Sequence, residues 1–116
     1  MVQGTFSEGK SIGKCTIYDL EGRKTYEGEY KDDRKDGHGV MYYGNGVDKF
    51  YEGDFKNDEI TGSGVLYRRS SSKIYEGKFI KGRRYGYGYA FSENGNIFIE
   101  GNWKNDKISS KGIEYN

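Results

Sequence analysis

Tyr26, Tyr51 and Tyr75 each open the triplet Tyr-Glu-Gly, and Ile99 opens a fourth as Ile-Glu-Gly. Their separations are 25, 24 and 24 residues. A fixed period of this length means an array of one supersecondary unit, each copy burying its apolar face only against its neighbours. Stepping back 24 residues from Tyr26 reaches Val2 and a degraded copy, "VQGTF". Five units, approximately 2–24, 25–49, 50–73, 74–97 and 98–116, therefore fill the 116 residues as one domain.

Each unit carries a second glycine pair nine and eleven residues after the first glycine: Gly37 and Gly39 follow Gly28, Gly62 and Gly64 follow Gly53, Gly86 and Gly88 follow Gly77. The terminal copies decay, with Cys15 and Ser110 in glycine positions. An aromatic stands three residues beyond each last column, at Tyr18, Tyr42, Tyr67, Phe91 and Tyr115. Midway between the glycines lie Glu8-Gly9, Asp32-Asp33, Asn57-Asp58, Lys81-Gly82 and Asn105-Asp106, types that accept positive φ in tight hairpin turns. Between units come Glu21-Gly22, Asn45-Gly46, Ser70-Ser71 and Asn94-Gly95. Each unit reads as a β-hairpin. The predicted fold is all-β, an elongated, twisted antiparallel meander of about five stacked hairpins in about ten strands, without a helix.

Strand parity sets the faces. Tyr26, Gly28 and Tyr30 point one way, Glu27, Glu29 and Lys31 the other. With an unbroken ladder from a two-residue turn, Gly28 lies across from Gly37 and Tyr26 across from Gly39. Glycine then leaves bare backbone on the ring-bearing face, a floor for aromatic rings of neighbouring units. The same register sends Val40, Tyr42, Val65, Tyr67, Tyr89 and Phe91 to the opposite face, joined there by Phe50, Ile74 and Phe98.

Hydrophobic residues make up 33% of the chain and charged ones 32%, but 12 Tyr, 6 Phe and one Trp give it rings from which to build a core. A net charge of +1 lacks the basic excess of an electrostatic nucleic-acid binder. Cys15 is the single cysteine, so no intramolecular disulfide or cysteine zinc cluster forms. No apolar run reaches membrane-spanning length, and no signal-peptide core follows Met1. The expected setting is a soluble, reducing, cytoplasmic one.

The stretches "YEGEY…GHGVMYYGNG", "YEGDF…GSGVLY" and "YEGKF…GYGYAF…NG" resemble the MORN (membrane occupation and recognition nexus) repeat, with its aromatic-x-Gly-x-aromatic, short turn and Gly-x-Gly. The family often has tryptophan at the second aromatic, where this chain has Phe6, Tyr30, Phe55 and Phe79, and only Trp103 conforms. The resemblance implies a curved sheet of hairpins serving as a scaffold or docking surface, without catalysis, and attachment to membrane or cytoskeleton.

Chemistry-bearing residues are sparse. His38 is the lone histidine and reads as a solvent-facing strand residue; the Gly-x-Gly pairs lack the lysine and following helix of a phosphate loop. No cofactor or metal is expected. Protein or peptide binding is the favoured function, with a groove lined by Tyr26, Tyr30, Tyr51, Phe55, Tyr75, Phe79 and Trp103 beside an acidic stripe of Glu27, Glu52, Glu76 and Glu100. The alternative is phospholipid headgroup binding by Arg34, Lys35, Arg83 and Arg84, offset by the acids interleaved with them. Self-pairing of the last strand, with Trp103, Ile113 and Tyr115 as its apolar cluster, is expected to give a homodimer.

Overall fold

Alternating rings and charges, punctuated by residues suited to positive φ, become strands joined by tight turns. The computed structural model describes residues 2–7, 10–108 and 113–114, with side chains from 13 to 108. The strands are β1 (Val2–Ser7), β2 (Lys10–Tyr18), β3 (Lys24–Lys31), β4 (Arg34–Tyr42), β5 (Lys49–Lys56), β6 (Glu59–Tyr67), β7 (Lys73–Ile80), β8 (Arg83–Phe91), β9 (Ile97–Lys104), β10 (Lys107–Ile108) and β11 (Ile113–Glu114). They form one antiparallel sheet in chain order from β1 to β10, with β11 also on β9. No helix occurs among the described residues. The molecule measures 51 × 25 × 16 Å, so the expected elongated meander is what forms.

The turns use the anticipated chemistry. Asp32 and Asp33 have φ of 52° and 62°, and Asn57-Asp58, Lys81-Gly82 and Asn105-Asp106 are likewise positive at both positions, the signature of type I′ hairpins. The loops between units close on themselves: Gly22 N–H donates to Asp19 O at 3.0 Å and Gly95 N–H to Ser92 O at 2.9 Å. The Glu8-Gly9 turn lies outside the described residues.

Register departs from the expected ladder at one recurrent place. Tyr30 pairs with Lys35 but Gly28 pairs with Gly39 and Tyr26 with Met41, so four positions of β4 advance against two of β3. The same shift lies between Gly53 and Phe55 and between Gly77 and Phe79. Gly28 therefore does not face Gly37, nor Tyr26 Gly39. The cause is a bulge: Gly37, Gly62 and Gly86 take φ of 102°, 91° and 72°. Because this slip is two residues, it moves no side chain off its predicted face. A one-residue shift at the other strand ends, between Met41 and Tyr42 and between Leu66 and Tyr67, does change a face. Phe50 and Ile74, expected on the Glu side, instead pack against the ring-side core.

The second glycine columns thus split by role. Gly37, Gly62 and Gly86 turn the bulges. Gly28, Gly39, Gly53, Gly64, Gly77, Gly88 and Gly101 form one continuous row of mutual partners across the sheet, which Cys15 extends.

The core lies over this row. Tyr26, Tyr51 and Tyr75 are 0% exposed, and Phe55, Phe79 and Trp103 are also buried. The ring above each glycine pair comes from the same hairpin rather than from a neighbouring unit: a Cβ on Gly39, Gly64 or Gly88 would run into the ring of Tyr26, Tyr51 or Tyr75 respectively. Each phenol is then within reach of its own strand's carbonyls. Tyr26 Oη donates to Glu29 O at 2.7 Å, Tyr51 Oη to Asp54 O at 2.9 Å and Tyr75 Oη to Lys78 O at 3.1 Å. Between hairpins the rings meet edge to face. Centroids lie 5.2 Å apart for Tyr26–Phe55, 5.4 Å for Tyr51–Phe79 and 5.4 Å for Tyr75–Trp103.

Candidate functional site

The aromatic columns are the interior of this protein. Of the seven rings expected to line a partner groove, only Tyr30 is half-exposed; Tyr26, Tyr51, Phe55, Tyr75, Phe79 and Trp103 are buried. Their groove role is corrected on that ground: a partner would have to open the core to touch them. Burial also raises the phenol pKa values of Tyr26 and Tyr51, and pushes that of Tyr75 up to about 12.

The basic pairs divide likewise. Lys35 Nζ lies 5.4 Å from the Tyr26 ring centroid and 3.9 Å from Asp58 Oδ1. The Arg84 guanidinium stacks 4.7 Å from the Trp103 ring and bonds Asp106 Oδ1 through Nε at 3.2 Å. At the equivalent place Ile60 packs on the same core, so this column roofs the rings. Of the four expected lipid contacts only Arg34 and Arg83 stay exposed.

The opposite face of the glycine row is open. There the bare backbone is the floor of a trough crossing the strands. One depression of about 610 Å³ is lined by Lys14, Thr16, Glu27, Glu29 and His38 over Cys15, Gly28 and Gly39. A second of about 620 Å³ continues from His38 past Glu52, Asp54, Ser63 and Val65 to Tyr87 and Tyr89.

The two walls follow from register. On one wall β-pairing sets Glu27 beside Val40, Val40 beside Glu52, Glu52 beside Val65, Val65 beside Glu76, then Tyr89 and Glu100. The expected acidic columns are thus brought together into one row, alternating with apolar residues. On the other wall two acids brace the bulges: Glu29 Oε2 accepts from His38 N–H at 2.7 Å and Asp54 Oδ2 from Ser63 N–H at 3.0 Å.

Three of the four stripe acids have a cation three residues before them. Lys24 Nζ lies 3.6 Å from Glu27 Oε1, Lys49 Nζ 3.0 Å from Glu52 Oε1 and Lys73 Nζ 2.7 Å from Glu76 Oε1. The bond from Lys49 lowers the Glu52 pKa. The second oxygen of Glu52 turns instead to His38 Nε2, 3.7 Å across the trough, and Tyr87 Oη donates to Glu100 Oε2 at 2.7 Å.

Four stretches of the chain, residues 26–47, 51–73, 75–97 and 100–115, match the model of the MORN repeat. The chain belongs to the MORN repeat family. MORN repeats serve interactions with proteins and with membrane lipids. No curated protein matches the chain. In this MORN protein the residues missed as site candidates are Val40, Val65, Tyr67, Tyr87, Tyr89 and His38, and their signal was parity: all lie opposite the tyrosine column. Trp103, one of three residues expected at a dimer contact, is taken up by Tyr75, Arg84 and Gly88 O, to which its Nε1–H donates at 3.2 Å. The side chains of Ile113 and Tyr115 lie outside the described residues.

Proposed function

We propose that this chain is a non-catalytic docking module that holds an extended protein segment in the glycine-floored trough. The observation that carries the reading is the asymmetry of the glycine row. One side is sealed by rings at 0% exposure, while the other is an open channel with one wall of alternating acid and apolar side chains. Glycine serves both sides, making room for a ring below and bringing backbone within reach of a ligand above. Ser63, exposed on the trough wall, marks the site without belonging to the core.

A random-peptide display library panned on the chain tests this. Selected peptides are expected to bind the parent and to be rejected by Ser63→Arg, which fills the channel. Binders indifferent to Ser63→Arg would refute the trough as the docking surface. Self-association through the last strand belongs to the same proposal: light scattering should give a dimer mass, lowered to monomer by Ile113→Lys. A monomer mass for the parent at high concentration would remove it.

A further inference from the structure

The trough's dimensions narrow the occupant, on the docking reading above. Glu27, Glu52, Glu76 and Glu100 sit on β3, β5, β7 and β9, every second strand of the sheet. Adjacent strands lie about 4.8 Å apart, so the acids recur about every 9.6 Å along the channel. Val40, Val65 and Tyr89 fall midway between them.

A ligand lying along the channel must present matching groups on one side at the same interval. A β-strand repeats a face every two residues, about 6.7 Å, and falls out of step at once. An α-helix returns to one face after seven residues, about 10.5 Å, and drifts roughly 3 Å over the four acids. A polyproline II helix has three residues per turn at about 3.1 Å each, a pitch of about 9.3 Å, and drifts only about 1 Å over the same span. Aromatic walls suit that helix too: Tyr67, Tyr87 and Tyr89 line the second depression, and Tyr87 and Tyr89 pack edge to face at 5.7 Å.

Charge sets the side chains. The acids on the channel outnumber Lys14 and Lys78, the cations lining its depressions. The neighbouring lysines engage Oε1 of Glu27, Glu52 and Glu76, while Oε2 of Glu52 and of Glu100 each faces a partner on the opposite wall. A cation entering the channel would reach those oxygens by displacing His38 from Glu52 and the Tyr87 hydroxyl from Glu100.

We infer that the trough takes a polyproline II segment with a lysine or arginine at every third position, its cations on the stripe acids and its intervening residues over Val40, Val65 and Tyr89. The probes are synthetic peptides measured by calorimetry: one of repeated Pro-Pro-Lys triplets, and one of equal length and composition with its lysines at irregular intervals. The triplet peptide is expected to bind at least about tenfold more tightly, weakening as salt rises. Glu52→Gln with Glu76→Gln, both on the surface, should erase most of that preference while circular dichroism stays unchanged. Equal binding of the two peptides, or a preference that survives the double substitution, would overturn the inference. If panning on the parent still yields peptides of other spacing that Ser63→Arg rejects, the docking reading stands and only the occupant is wrong. If it yields none, both fall.

Discussion

At Gly39, Gly64 and Gly88 the side-chain hydrogen occupies space that a methyl would contest with a tyrosine of the same hairpin. Gly64→Ala should therefore cost about 2–4 kcal/mol in denaturant unfolding, by overpacking against Tyr51. Gly82→Ala meets open space but a φ of 79°, and should cost only about 1–2 kcal/mol. Cys15 tests the same rule from within the sequence. It stands in the glycine row in the unit that has Val2 in place of tyrosine, where no ring needs the room. Gly64→Ala with Tyr51→Val should consequently be less destabilising than the sum of the two changes, by at least about 1 kcal/mol in a double-mutant cycle. Additive costs would separate the glycine from the ring.

The buried phenols also set an alkaline limit. The folded-state pKa of Tyr75, about 12, exceeds the ordinary value of 10.0, so its protonated form is the one the fold favours. That contribution is complete below pH 10 and is lost as pH rises through 12, about 2–3 kcal/mol for a shift of this size. Tyr26 and Tyr51 shift the same way. Unfolding should coincide with late phenol ionisation in ultraviolet titration, and core tyrosines ionising near pH 10 in a folded chain would contradict it.

At the scale of the hairpin, the turns at Asn57-Asp58, Lys81-Gly82 and Asn105-Asp106 are each tied to the return strand of the hairpin before. Asp58 N–H donates to Lys35 O at 2.9 Å and Gly82 N–H to Ile60 O at 2.8 Å. Side chains reinforce two of these joints: Lys35 N–H donates to Asp58 Oδ1 and Arg84 N–H to Asp106 Oδ1, both at 2.8 Å. Asp106→Ala removes an acceptor, a charge partner of Arg84 and a residue at ease with a φ of 69°. It should cost about 1–2 kcal/mol and speed hydrogen exchange at the Arg84 amide. Asp106→Asn keeps acceptor and turn and should cost less than half as much. The turns were legible because few residue types accept positive φ. The bulges were not, since Gly37 and Gly39 look alike in sequence and only strand pairing assigns one to the bend and the other to the floor.

Across the whole molecule, a net charge of +1 and the commitment of Lys35 and Arg84 to the ring column leave little for a membrane surface to attract. Retention on acidic vesicles near physiological salt is expected to be weak. Tight, salt-sensitive retention abolished by Arg34→Ala with Arg83→Ala would favour the headgroup-binding reading instead. In the proposed docking role the ligand would run along the 51 Å axis of the sheet.

The repeat period, the hairpin turns, the meander order and the face of almost every side chain follow from the sequence alone. They depend on local geometry: alternation along a strand and the φ that a turn demands. What the tertiary structure decided is which tyrosine lies on which glycine, and so which face is interior. In an isolated strand Tyr26 and Glu27 are equally exposed. Only when the bulge slides Gly39 opposite Gly28, and Phe55 of the next hairpin closes against the ring, does the aromatic column become core and the acidic stripe become the exposed face.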